Sequence, residues 1–264
     1  MKLHVLAGLP RSGSTLLGNI LAQHPDIHVT GTSSLTSCVQ AISNTLSASA
    51  EAQGELANVR GSYGRYLGAV RAFVDGYYAD RSEAHVVDKN RGWVLLPHLL
   101  RQISPDSVIV VTVRDPRDVI ASIERRHRET AVFVSPVAPT IWEAASRLMG
   151  PDGMVGGPIK FCEDLMRRSV PRTVYVPYEA LVAAPEQMVS RIEREMGVEP
   201  FVHDFQNIAN VATDLDALYR GKYPHDGSGA IKPSGRPWND TLDADLAARI
   251  ASVFPMYMQS FGYR

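Results

Sequence analysis

The first two dozen residues dictate most of what this chain is able to fold into. Leu3-His4-Val5-Leu6-Ala7, within a strand read from Lys2 to Ala7, breaks at Gly8-Leu9-Pro10-Arg11-Ser12-Gly13-Ser14-Thr15. A helical pattern follows from Leu16 to Gln23. Strand, glycine turn and helix N-terminus, in that order, aim free backbone N–H groups at one point where an anion sits. The spacing Gly8–x4–Gly13 matches the phosphate loop of nucleoside triphosphatases, but Ser14 stands where that motif carries its lysine. A triphosphatase needs the lysine to reach the outer phosphates and Mg²⁺ to neutralise them. This loop suits a less charged anion, held by amides, hydroxyls and the one arginine inside it, Arg11.

A loop of this kind belongs to a parallel sheet, and three further segments read as its strands: His85–Asp88, Ser107–Val113 and Thr173–Pro177. Val108-Ile109-Val110-Val111-Thr112-Val113 is a continuous β-branched run, as expected when helices cover both faces. Between the strands, Leu95, Leu96, Leu99, Leu100 and Ile103 share a helical face, as do Leu246, Ile250, Val253 and Tyr257. Pro185 opens another helix that runs to Met196 and stops at Gly197. The pattern predicts one α/β domain over residues 1–264, a P-loop-like three-layer fold with a short parallel sheet of about four strands. Two stretches fall outside it. Residues 35–84 carry no strand signal and read as a helical insertion, with Tyr63, Tyr66, Leu67, Val70, Phe73, Val74 and Tyr77 at helical spacing, a stripe suited to core packing. Gly221 to Asp240, rich in Gly, Pro and Ser, reads as a long loop.

Net charge and cysteine usage narrow the function classes. A net charge of −1 gives no global field for nucleic acid or an anionic membrane, so any anion site is local. Cys38 and Cys162 are far apart and form no paired motif, and no His/Cys/carboxylate cluster points to a metal. No apolar run approaches the ~20 residues of a membrane span, and the chain enters its first strand without a leader pattern. A soluble protein of a reducing, cytoplasmic compartment is the expectation.

The strongest strand ends in Arg114-Asp115-Pro116-Arg117-Asp118 and continues as a helix through Val119, Ile120, Ser122 and Ile123. Pro116 suits the first helical position. Arg114 lies at the strand's C-terminal end, the edge where open α/β sheets bind ligands, and Ser122 sits two turns into the helix. Together the two loops resemble those of sulfotransferases that use 3′-phosphoadenosine-5′-phosphosulfate (PAPS), most closely the tyrosylprotein type and its bacterial relatives. Leu9–Thr15 resembles the 5′-phosphosulfate loop, and Arg114 with Ser122 the 3′-phosphate motif. Lesser similarities fall at Ala22–Asp26, Asp88-Lys89, Tyr178–Val182, Ile231-Lys232-Pro233 and Phe261-Gly262-Tyr263.

The resemblance implies PAPS as co-substrate and no metal. Arg11 and Lys89 would neutralise the moving sulfuryl group. Pro10 and Arg11 would border the nucleotide, Ser12, Gly13, Ser14 and Thr15 would cradle its 5′-phosphate, Arg114 and Ser122 its 3′-phosphate, and Tyr178 and Lys232 would close over it. The acceptor, a small molecule, carbohydrate or peptide, would lie under the 35–84 insertion if that insertion is a cap. One departure stands out. Thr32 occupies the place of the glutamate base of the tyrosylprotein type, and Asn90 that of the histidine base of the cytosolic type. Asp88, beside Lys89, is the nearest carboxylate and is the candidate base, although a structural cap on the following turn suits it better. A P-loop small-molecule kinase and a non-catalytic PAPS-binding protein are the rival readings.

Overall fold

The computed structural model describes residues 1–129, 140–211, 228–232 and 236–263. In chain order these form β1 (Lys2–Gly8), α1 (Ser14–Leu21), β2 (Ile27–Thr32), α2 (Leu35–Ala48), α3 (Ala50–Asn58), α4 (Ser62–Tyr77) and β3 (His85–Lys89). A 3₁₀ turn (Arg91–Leu95) leads to α5 (Pro97–Ile103), β4 (Ile109–Val113), α6 (Pro116–Glu129), α7 (Ile141–Met149) and α8 (Gly156–Arg167). The remainder is β5 (Thr173–Pro177), α9 (Tyr178–Ala183), α10 (Pro185–Met196), α11 (Ala244–Val253) and α12 (Pro255–Phe261). Part of the loop expected over Gly221–Asp240 lies outside the described residues. No helix among those described is long and apolar enough to cross a membrane.

The five strands are ordered β2-β3-β1-β4-β5, and every pairing is parallel. Four strands were expected; β2 is the addition. It pairs only with β3, at the sheet edge, and alternates buried Ile27 and Val29 with half-buried His28 and Thr30. Six residues with two buried apolar side chains carry too short a period to stand out in sequence. From β1 the chain passes to β2 and returns through β3 on one side, then crosses to β4 and β5 on the other. The loops after β1 and β4, which are neighbours, therefore leave in opposite directions, and the crevice between them is the topological switch point.

One face of the sheet packs Val5 and Val111 against Trp93, Ile159 of α8 and Ile250 of α11. The opposite face packs Leu6 and Val110 against Leu17 and Ile20 of α1 and Ile192 of α10. The face that sequence reads through Leu246 to Tyr257 belongs to two helices. Pro255 lacks an N–H and disfavours helical geometry at Phe254, so α11 stops and α12 restarts with proline at its first position. Residues 35–84 hold α2, α3 and α4, and the stripe on α4 divides. Val70 and Val74 enter the core, while Tyr63, Phe73 and Tyr77 stay exposed. Tyr63, Tyr66 and Leu67 instead border a cavity of about 240 Å³ between α2, α3, α4 and α5.

His4 on β1 and His85 on β3 stack with ring centroids 5.3 Å apart. The N–H of Val108 donates to His4 Nδ1 at 3.1 Å, so the His4 proton lies on Nε2 and is donated to His85 Nδ1, 3.0 Å away. Burial, reinforced by His85, pushes the His4 pKa down from 6.5 to about 3. A histidine held neutral in the fold but free to charge when unfolded supports stability above pH 6.5 and loses that support as the pH falls toward 3. Thermal melts are thus expected to be flat above pH about 6.5 and to fall below it by about 1.4 kcal/mol per pH unit per such group. His4→Phe flattens the slope between pH about 6.5 and 5, before carboxylates titrate. An unchanged slope in that variant contradicts the assignment.

Candidate functional site

β1 and β4 converge at Gly8, and only glycine allows it. A Cβ there would stand 2.2 Å from Thr112 Oγ1 and 2.3 Å from the Thr112 carbonyl oxygen. The loop then turns through Arg11, whose φ of 58° is left-handed, a conformation that costs a non-glycine residue about 1–3 kcal/mol. Ser12 fixes the turn from inside. Its buried hydroxyl donates to the Leu9 carbonyl at 2.6 Å and lies 2.6 Å from Thr112 Oγ1. Gly13, also left-handed, leaves the first turn of α1 with no side-chain cap, so those N–H groups face the crevice.

The loop after β4 meets this one. Arg114 Nη1 donates to the Arg11 carbonyl at 3.0 Å, and its guanidinium lies 4.4 Å over the ring of Tyr178, the first residue after β5. Its buried Nε has no hydrogen-bond partner among the described residues. Asp115 does not neutralise it, because that carboxylate is held by Arg117 at 2.6 Å. Ser122 on α6 accepts from Arg11 Nε at 3.3 Å and joins the two loops. Lys89, at the end of β3, is nearly buried and donates to Thr15 Oγ1 at 2.9 Å. Burial, then the positive charges of Arg126 and Arg114, push the Arg11 pKa down from its ordinary value. Cations crowded enough to depress one another are the electrostatic mark of a site built for an anion.

Two cavities open here. One, of about 330 Å³, is bordered by Pro10, Lys89, Thr32, Asn90 and Arg91; the other, of about 200 Å³, by Gly13, Arg114, Tyr178 and Lys232. Arg11, Ser14 and Thr15 border both, so the two cavities lie next to each other along this loop. Pro233, next to Lys232, lies outside the described residues. A third cavity, of about 170 Å³ and mostly apolar, lies beyond Gly8 between Val94, Leu95, Phe161 and Cys162, and shares Arg91 with the first.

The two positions where relatives by resemblance keep a base are different in kind. Thr32 faces the first cavity. Asn90 does too, but both ends of its amide are engaged, Nδ2 donating to the Ser33 carbonyl at 2.7 Å and Oδ1 accepting from the Gly92 N–H at 2.8 Å. Asp88 has no exposed surface and borders none of the three cavities. It accepts from Trp93 Nε1 at 2.6 Å and from the hydroxyls of Ser33 and Tyr78. Burial nonetheless pushes its pKa upward, against those hydrogen bonds.

Sequence reasoning missed Tyr257. Its hydroxyl accepts from the Arg114 N–H at 3.2 Å and donates to the Arg114 carbonyl at 3.1 Å. A separation of 143 residues leaves no spacing signal that would pair them. Arg91, which borders the first and third cavities, was missed as well.

Comparison with known proteins agrees with this geometry. The model of the sulfotransferase family matches residues 5–203. Nodulation protein NoeE of Sinorhizobium fredii is 28% identical over an alignment of 216 positions, which covers 74% of this chain and 50% of that protein. The chain thus spans about half the length of this curated relative. Among solved structures, the sulfotransferase domain from the curacin biosynthetic pathway superposes with a TM-score of 0.55 at 18% identity, covering 100% of this chain and 98% of that one. A mouse sulfotransferase complexed with PAP superposes with a TM-score of 0.57 at 11% identity, covering 97% and 83%. At such identities the likeness is one of fold.

The enclosure of Asp88 has a measurable consequence. Asp88→Ala leaves three donors without their acceptor, those of Trp93 and Tyr78 buried, and is expected to destabilise the fold by about 3 kcal/mol or more in urea denaturation. Unchanged stability with lost activity would instead make this carboxylate a chemical group.

Proposed function

The chain belongs to the sulfotransferase family, and on that premise we propose that it transfers a sulfuryl group from PAPS to an acceptor hydroxyl. The observation that carries this reading is the junction of the two anion loops, where Arg11 reaches Ser122 and Arg114 reaches the Arg11 carbonyl. A nucleotide with phosphate at both its 5′ and 3′ positions spans such a junction. The 5′-phosphosulfate takes the first turn of α1 with the Ser14 and Thr15 hydroxyls, the 3′-phosphate takes Arg114 and Ser122, and Tyr178 and Lys232 flank the nucleotide. The inward hydroxyl of Ser12 shapes the loop.

Sulfuryl transfer passes through a loose state, so positioning and charge stabilisation do most of the work. The acceptor hydroxyl gives its proton to water and its oxygen forms a bond to sulfur as the bond from sulfur to the bridging oxygen breaks, so that PAP leaves with the electron pair. Lys89, held on Thr15 beside the loop, meets the charge that grows on the bridging oxygen, and Arg11 meets the sulfuryl oxygens. The apolar cavity beyond Gly8 receives the body of a small acceptor, with Arg91 at the boundary between acceptor and donor. Asp88, sealed among three donors, is read as the support that holds β3 to the 3₁₀ turn. With Thr32 and Asn90 in the places of the usual bases, the site suits an acceptor whose hydroxyl is already acidic. Cys38 and Cys162 are free thiols, in keeping with the cytoplasmic location this reading assigns.

A test of the donor needs no acceptor. PAP, 3′-phosphoadenosine-5′-phosphate, present at about a hundredfold its Kd, is expected to raise the melting temperature by about 5–10 °C. AMP, which lacks the 3′-phosphate, is expected to do so far less at the same concentration. Equal shifts would remove the 3′-phosphate role of Arg114 and Ser122.

A further inference from the structure

The residues that hold the 3′-phosphate arginine in place come from the far C-terminus, beyond the stretch matched by the family model, which ends at residue 203. Arg114 stands on the first residue after β4, where the strand ladder no longer fixes its peptide groups. The hydroxyl of Tyr257 takes over. It accepts from the Arg114 N–H and donates to the Arg114 carbonyl, and a tyrosine is able to do both at once only while it keeps its proton. Tyr257 is fully buried, and burial raises its pKa well above the ordinary value, so the proton stays. Its own backbone is pinned in turn, the N–H donating to Glu163 Oε1 at 3.1 Å.

A second contact from the same segment reaches the other support of Arg114. Tyr263 donates its hydroxyl to Glu179 Oε2 at 3.1 Å, and Glu179 follows Tyr178, the ring beneath the Arg114 guanidinium. The two tyrosines are themselves linked, stacked on each other with centroids 6.0 Å apart and flanked by Phe261 at 4.9 and 6.2 Å. One aromatic unit on and just after α12 thus touches both the main chain of Arg114 and the turn that carries its ring partner.

We propose that Tyr257 and Tyr263 are positioning residues for the 3′-phosphate, making the C-terminal helix part of the donor site and the source of its preference for a 3′-phosphorylated nucleotide. The proposal rests on the reading that Arg114 receives the 3′-phosphate. Neither tyrosine touches the nucleotide; they act through Arg114. A guanidinium held ready on a fixed main chain loses less freedom when the phosphate arrives, so its contribution to binding is larger.

The readout is a ratio. Calorimetric Kd values for PAP and AMP are measured on the wild-type chain, on Tyr257→Phe and on Tyr263→Phe. The Tyr257→Phe variant removes both hydrogen bonds to Arg114 while keeping the ring that fills the core. It is expected to weaken PAP roughly tenfold and AMP by less than about twofold, because AMP makes no use of Arg114. Tyr263→Phe is expected to lower the ratio in the same direction by a smaller factor. A purely structural role would lower the melting temperature and leave the PAP-to-AMP ratio at its wild-type value in both variants, and that result overturns the proposal. If Tyr257→Phe does not fold, the half-exposed Tyr263 decides the matter alone. A wild-type chain that binds PAP and AMP equally overturns the donor reading and this one with it, whereas a wild-type preference that survives both substitutions overturns only the brace.

Discussion

The close approach of β1 and β4 at Gly8 and Thr112 is the constraint on which the rest of this molecule depends. Any side chain at residue 8 would overlap Thr112. With glycine there, two neighbouring strands end side by side, and their loops diverge to opposite sides of the sheet. Thr112 also accepts a place in the first loop, its hydroxyl meeting that of Ser12. The distance between the two anion loops is therefore set by strand pairing, the most rigid spacing a protein has. Contacts such as Arg11 to Ser122 follow from that spacing.

Charge explains the arrangement around this junction. Arg11, Arg114 and Lys89 sit partly or fully out of water, and burying cations without an anion is unfavourable. Polar, neutral groups are among their contacts: a carbonyl and an aromatic face for Arg114, hydroxyls for Arg11 and Lys89. Of the carboxylates nearby, Asp115 is engaged with Arg117 and Asp88 with its three donors, while half-buried Asp118 lies within the field of Arg114.

Much of this was legible in sequence, for physical reasons that also explain the remainder. β1, β4 and β5 are nearly continuous apolar runs, so their edges are visible, and the loops that follow them are placed by chain order alone. Gly13 and Pro116 mark helix starts through backbone restrictions that hold in any context. β2 escaped because an edge strand with His28, Thr30 and Gly31 has no strong period. Within α4, the fate of each residue of the stripe depends on what lies opposite it, and so Val70 is buried while Tyr63 is not. The family resemblance placed Ser12 in the cradle; its hydroxyl faces inward, onto the Leu9 carbonyl and Thr112, a matter of rotamer and loop turn. Tyr257 lay on a helical face read correctly as apolar, and its hydroxyl found Arg114 only through the tertiary fold.

The donor site is the central claim, and the measurement closest to it is a crystal structure of the chain grown with PAP. The account predicts the 5′-phosphate against the first turn of α1, within hydrogen-bond distance of the Ser14 and Thr15 hydroxyls, and the 3′-phosphate between Arg114 and Ser122. Density for the nucleotide with its 3′-phosphate directed away from Arg114, or bound outside the two cavities beside the phosphate loop, would contradict it.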